Sequence, residues 1–225
     1  MFEITPIFTV RSDSVRDDKT LPFMKPYRKL LAIIFAAVGW FAVIAQFLLM
    51  LNNSVLPLGE NIVRFFSFFT ILTNMLVALF FTLQAWGIKK FDGGALTAIT
   101  VYITIVGLVY QVLLRQLWTP TGLQKVVDEL LHSVMPVVTI GYWYCYGHRH
   151  GVFYNQVPKW LVFPFLYLGY ILVRGYFSGF YPYPFMDVAM LGFPKVIGNA
   201  AGMVVLFILV SFFFVYVGRK LKEVG

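Results

Sequence analysis

Thr70 and His132 are polar side chains set in apolar sequence. Thr70 lies in the run 65–86 and His132 in the run 130–147. Each run is close to the ~20 residues a helix needs to cross the hydrocarbon core of a bilayer. A hydroxyl is a weak nucleophile until a base takes its proton, and imidazole is the side chain most often used for that task. Brought to one depth, the two would form a nucleophile–base pair within lipid. Asp128 and Glu129 precede His132 by four and three residues and share its helix face. Either could orient the imidazole as the acid of a triad does. Plainer roles stand beside these. A threonine in a membrane helix commonly bonds a carbonyl one turn back. A histidine near an interface can simply be hydrogen-bonded, and acids at a helix N-terminus favour its positive end.

The elements that must hold these residues follow from composition. The chain has 225 residues, 60% hydrophobic and only 12% charged, with a mean hydropathy of +0.78. A soluble domain carries about twice that fraction of charge, so the expected class is an all-α polytopic membrane protein. Six apolar segments fall near 29–51, 65–86, 95–117, 130–147, 159–177 and 197–218. Helices are expected, because a spanning segment must satisfy its own backbone polar groups. The ten-residue alternation of an outer-membrane barrel is missing. Residues 1–28 form a polar tail without the apolar stretch of a signal peptide, and 219–225 form a second short tail. The net charge of +8 is spread from loop to loop and forms no continuous patch, which argues against nucleic acid as a partner.

Orientation follows from where the lysines and arginines lie. Arg11, Arg16, Lys19, Lys25, Arg28, Lys29, Lys89, Lys90, Arg149, Lys159, Arg219, Lys220 and Lys222 fall on one side. Arg64, Arg115, Lys125, Arg174 and Lys195 fall on the other. The positive-inside rule then places both termini in the cytoplasm. Connections 52–64, 118–129 and 178–196 face outward, and 87–94 and 148–158 inward. The outer segment Gly179-Phe180-Tyr181-Pro182-Tyr183-Pro184-Phe185-Met186-Asp187 is rich in proline and aromatic residues. It is expected to be a folded-in cap rather than a helix. Two small-xxx-small spacings, Gly175/Gly179 and Gly198/Gly202, are expected to serve packing within the bundle.

Polar residues concentrate in the outer half. If the second helix enters lipid at Arg64, Thr70 lies roughly 9 Å deep; if the fourth enters at Glu129, His132 lies roughly 5 Å deep. Thr73, Asn74, Ser133 and Asp187 lie nearby in sequence, and Asn74, Ser133 or a backbone amide could steady an oxyanion. Arg115 and Arg174 could pair with Asp128, Glu129 or Asp187, or hold a substrate carboxylate, and Tyr183 could contact substrate. His148 and His150, flanking Arg149, suit a solvated loop better than a metal site. The single cysteine, Cys145, excludes an intrachain disulfide. No metal or other cofactor is expected.

Three blocks carry a family resemblance. Phe65-Phe66-Ser67-Phe68-Phe69-Thr70-Ile71-Leu72-Thr73-Asn74 is similar to the second-helix signature of bacterial predicted six-pass membrane proteins. These look related to the eukaryotic androgen-induced and androgen-dependent membrane proteins. Asp128-Glu129-Leu130-Leu131-His132-Ser133-Val134-Met135-Pro136 resembles that family's histidine motif. Tyr167-Leu168-Gly169-Tyr170 with Tyr183-Pro184-Phe185-Met186-Asp187 resembles its third block, although the eukaryotic proteins end that block in glutamate. The blocks cover the whole membrane portion.

The resemblance implies a threonine hydrolase of fatty acid esters of hydroxy fatty acids. Thr70 would be the nucleophile and His132 the base, with a lipid ester as substrate and membrane lipids as surroundings. The rival expectation is a non-enzymatic lipid-binding protein or small transporter. Transport is disfavoured by the lack of an internal repeat and of a charged path to the inner side.

Overall fold

The computed structural model describes residues 27–88, 93–147 and 152–223, and these are helical without a strand. The expectations on residues 1–26, on Lys89 and Lys90, and on His148, Arg149 and His150 lie outside the described residues. Helix α1 spans Tyr27–Asn52, α2 Leu58–Phe65, α3 Phe69–Ala85 and α4 Gly93–Val109. A π-helical turn, Tyr110–Leu114, continues α4. Helix α5 (Gly122–Glu129) runs through a second π turn, Leu130–Val134, into α6 (Met135–Tyr146). Short α7 (Val157–Trp160) leads into α8 (Val162–Ser178). Short α9 (Val188–Leu191) leads into α10 (Phe193–Glu223).

Four helical stretches are long and apolar enough to cross a membrane: Tyr27–Asn52, Gly94–Leu114, Tyr154–Ser178 and Phe193–Leu221. The pair α2 and α3, bent by 73° at its break, makes a fifth if counted as one span. The exterior is that of a protein in lipid. Leu30, Phe41, Ile44 and Leu48 of α1 are exposed, as are Leu166 and Val173 of α8 and Leu209 and Phe213 of α10. The buried face of α1 is mostly small instead: Ala32, Ala36, Gly39, Ala42 and Ala45, with Val43. Lipid tails are as apolar as leucine, so helices associate there through close backbone approach. A methyl on Gly39 would lie 3.0 Å from the Cβ of Ala78, which shows how closely α1 and α3 pack. A methyl added at Gly198 or Gly202 would meet nothing within 4 Å, so the close packing expected of that pair is not made among the described residues.

The continuous helix expected over 65–86 is broken. Phe68 is extended (φ −84°, ψ 122°), and α3 starts only at Phe69. A break exposes backbone groups that lipid cannot satisfy. Two phenols from elsewhere satisfy them. Tyr167 of α8 donates to the carbonyl of Ser67 at 2.8 Å. The N–H of Thr70 donates to the Tyr183 hydroxyl at 3.3 Å. The helix over 130–147 also differs from expectation, beginning at Gly122. Its π turn has a local cause. Pro136 has no N–H to offer the His132 carbonyl, and its ring would crowd that carbonyl in a regular turn. The chain widens instead, and the N–H of Met135 bonds Leu130 five residues back.

The outer segment 179–192 is folded onto the bundle. Gly179 ends α8 in the left-handed region (φ 68°), and Gly192 (φ 77°) separates α9 from α10. A methyl on Gly175 would fall 2.0 Å from the Tyr181 ring, so this segment is laid directly on α8.

Candidate active site

Thr70 occupies the first turn of α3, created by the break at Phe68, and is buried at 8% exposure. Its depth is therefore set by where α3 starts and not by a continuous helix counted from Arg64. The first N–H groups of a helix have no partner within it. The N–H of Thr70 finds its partner in Tyr183, whose hydroxyl also lies 3.4 Å from Thr70 Oγ1. Tyr183 is itself held by stacking on Phe185, with centroids 5.3 Å apart.

His132 sits in the π turn facing Tyr110, which occupies the other π turn. The two rings stack with centroids 4.0 Å and planes 12° apart. His132 Nδ1 lies 3.0 Å from the Asp128 carbonyl and 3.2 Å from Asp128 Oδ1. Both are acceptors, so Nδ1 carries a hydrogen, and in the neutral imidazole the lone pair is on Nε2. The hydroxyl of Tyr110 donates to the other oxygen of the Asp128 carboxylate. Asp128 is thus buried and bound on both oxygens, in the position of a triad acid.

Thr70 and His132 line one cavity of about 390 Å3, together with Tyr110, Asp128, Gln46 and Tyr183. No hydrogen bond joins the two among the described residues. Thr70 and Tyr183 also line a smaller cavity of about 90 Å3, walled by Phe69, Tyr167, Met203 and Phe207. The Thr70–Tyr183 contact is common to both spaces.

Asn74 connects the two halves of the site. Its amide donates to the Thr70 carbonyl at 2.9 Å and to the Leu131 carbonyl at 3.2 Å. Both amide protons are engaged, so its service here is to tie the α3 turn of Thr70 to the π turn of His132. The hydroxyl of Thr73 is buried without a hydrogen-bond partner among the described residues.

The other sequence candidates lie apart. Glu129 receives Arg115 and, at 2.6 Å, the hydroxyl of Ser133; Gln111 donates to Ser133 at 2.9 Å. This network is on the half-exposed side of the helix, away from the cavity lining. Arg174 donates to Glu60 at 3.1 Å and lies over the Phe180 ring, beside Arg64. Asp187 caps α9, accepting the Met190 N–H at 3.0 Å. Arg115, Arg174, Glu129, Ser133 and Asp187 therefore line neither cavity.

Sequence reasoning passed over Tyr110 and took Tyr167 only as part of the third block, without a role in the site. The available signal was a phenol in the middle of an apolar run, since a buried tyrosine hydroxyl usually finds a partner. No group of three or more histidine, cysteine or acidic side chains suited to a metal occurs among the described residues.

The fold and the site define a helical protein with the exterior of a membrane protein and a hydroxyl–imidazole cavity inside. No family model, no curated protein and no solved structure matches the chain.

Proposed function

We propose that this protein is an integral-membrane hydrolase of lipid esters, with Thr70 as nucleophile and His132 as base. The observation that carries the reading is the shared cavity. Thr70 and His132 line the same cavity, and Asp128 holds the imidazole at Nδ1, which leaves Nε2 as the nitrogen that can take the proton. Thr70 Oγ attacks the acyl carbonyl while Nε2 takes its proton, and the imidazolium that forms is steadied by Asp128. Nε2 then protonates the departing alcohol, and water releases the acyl group from Thr70. Fatty acid esters of hydroxy fatty acids are the substrate class that the sequence resemblance implies. Arg115 and Arg174 are engaged with Glu129 and Glu60, and the mechanism uses neither.

The proposed topology has six spans with both termini in the cytoplasm of a bacterial cell. It counts α2 with α3 as one span and the unbroken Gly122–Tyr146 helix as another. The latter need not be strongly apolar, because Leu131, Met135, Thr139, Tyr142, Trp143 and Tyr146 face protein and are buried. The excess of lysine and arginine on one side supports the orientation.

The test is labelling of the purified full chain by a fluorophosphonate, alongside hydrolysis of a panel of acyl esters. Wild type is expected to label and turn over, and Thr70→Ala and His132→Ala to do neither. Equal labelling of all three would overturn the mechanism. A second reading, a lipid-binding protein without chemistry, is favoured by one observation: the Thr70 hydroxyl bonds Tyr183 and not His132. Retention of a bound fatty acyl lipid by a protein that shows no turnover would establish it.

A further inference from the structure

The proposed reaction leaves the carbonyl oxygen of the ester without a partner, and the structure narrows the choice. Asn74 has both amide protons on backbone carbonyls. Ser133 is hydrogen-bonded to Glu129 outside the cavity. One polar hydrogen stands beside the nucleophile from a different element, that of Tyr183. Its hydroxyl lies 3.4 Å from Thr70 Oγ1, in the wall common to both cavities.

We propose that the Tyr183 phenol is a catalytic hydrogen-bond donor to the developing oxyanion. The inference rests on the hydrolase reading above and adds a residue to it. The hydrogen count is the core of the argument. In the contact between Thr70 N–H and Tyr183, nitrogen supplies the proton, so the phenol oxygen acts as acceptor and its own proton is left for another group. In the resting protein Thr70 Oγ1, 3.4 Å away, is within reach of that proton. When Thr70 Oγ bonds to the acyl carbon, the carbonyl π pair moves onto oxygen and the threonine proton goes to His132 Nε2. The new oxyanion then lies one bond from the acyl carbon, within reach of the same phenol proton. As the tetrahedral adduct collapses, that electron pair re-forms the carbonyl. The alkoxy C–O bond breaks, and the imidazolium returns its proton to the alcohol. Tyr183 keeps its proton throughout.

The setting suits this task. Tyr183 is buried (9% exposed), pinned by Phe185 and edge-on to Phe68 at 5.9 Å. A donor fixed in place before reaction is the arrangement that stabilises developing charge without reorganisation.

The test compares wild type, Tyr183→Phe and a chain carrying 3-fluorotyrosine at position 183, each in detergent. The substrates are a medium-chain acyl ester and its thionoester analogue, whose C=S sulfur accepts hydrogen bonds poorly. Tyr183→Phe is expected to lower kcat on the ester by about 100-fold or more with KM little changed. The preference of wild type for the oxo over the thiono substrate should shrink by a similar factor. A purely structural tyrosine would slow both substrates alike and leave that ratio unchanged, which would overturn the proposal. If Tyr183→Phe does not fold, the nearly isosteric fluorotyrosine decides: an unaltered oxo/thiono ratio overturns the assignment. Thr70→Ala separates the two levels of inference. Turnover persisting in Thr70→Ala, or missing from wild type, overturns the hydrolase reading and this inference with it. Loss in Thr70→Ala with wild-type rates in Tyr183→Phe overturns this inference alone.

Discussion

At the scale of single residues, the site depends on which hydrogens are already committed. Asp128 accepts from His132 Nδ1 and from Tyr110, so Nε2 is the imidazole nitrogen left to take a proton. Removing the charge of Asp128 should be milder than removing the base. In Asp128→Asn the backbone carbonyl 3.0 Å from Nδ1 still fixes the tautomer, and only the charge opposite the imidazolium is lost. The expected result is a kcat reduction of about 10- to 100-fold, against about 10⁴-fold or more for His132→Ala, measured on one ester. Thr70→Ser keeps a hydroxyl on the same turn and should label with a fluorophosphonate where Thr70→Ala does not. Asn74→Ala removes the tie between the Thr70 and Leu131 carbonyls. It should cost about 2 kcal/mol, read as a lowered unfolding midpoint in detergent.

At the scale of elements, two π turns and one helix break shape the cavity. The π turn Leu130–Val134 follows from Pro136, and Gly107 lets α4 approach it closely. A methyl on Gly107 would meet the Pro136 ring at 3.2 Å and the His132 carbonyl at 3.3 Å. Gly107→Val should therefore wedge α4 from α6. It should lower the unfolding midpoint by an amount matching about 1–3 kcal/mol, and Gly107→Ala by less. Pro136→Ala is the complementary test. It restores an N–H that can bond the His132 carbonyl and close a regular turn. Losing one residue of π insertion rotates the preceding helix by about 100° relative to the following one. Activity is expected to fall with the helical content preserved, measured by turnover and far-UV circular dichroism.

At the scale of the whole molecule, an apolar outer surface surrounds a largely apolar core with buried polar side chains set into it. Lipid-facing leucines and phenylalanines surround helices whose inner faces carry alanine, glycine and hydrogen-bonded polar groups. The proposed topology predicts a labelling pattern. Cys145 is the only cysteine, so Cys145→Ala supplies a background for single cysteines. Val55→Cys, at a fully exposed position between α1 and α2, should react in intact cells with a membrane-impermeant maleimide. Lys222→Cys should react only after the membrane is opened. The reverse pattern would invert the topology.

The all-helical class was legible in the sequence because long apolar runs with few charges leave the backbone no other way to satisfy itself in lipid. Thr70 and His132 stood out for the same reason, as polar groups in the wrong solvent. Asp128 was legible as a partner because a four-residue spacing is local helix geometry. What lay beyond the sequence depends on contacts between distant segments. The break at Phe68 costs backbone hydrogen bonds unless Tyr167 and Tyr183, about 100 residues further along the chain, supply phenols to Ser67 and Thr70. The run of apolar residues from 65 to 86 gives no sign of that compensation. The stack of Tyr110 on His132 and the diversion of Arg174 to Glu60 are likewise decided across helices. Local pattern thus determined which segments are helical and which polar residues are costly to bury. Only the tertiary structure decided which of those residues meet, because each such pairing is set by side chains that come together after the helices have packed.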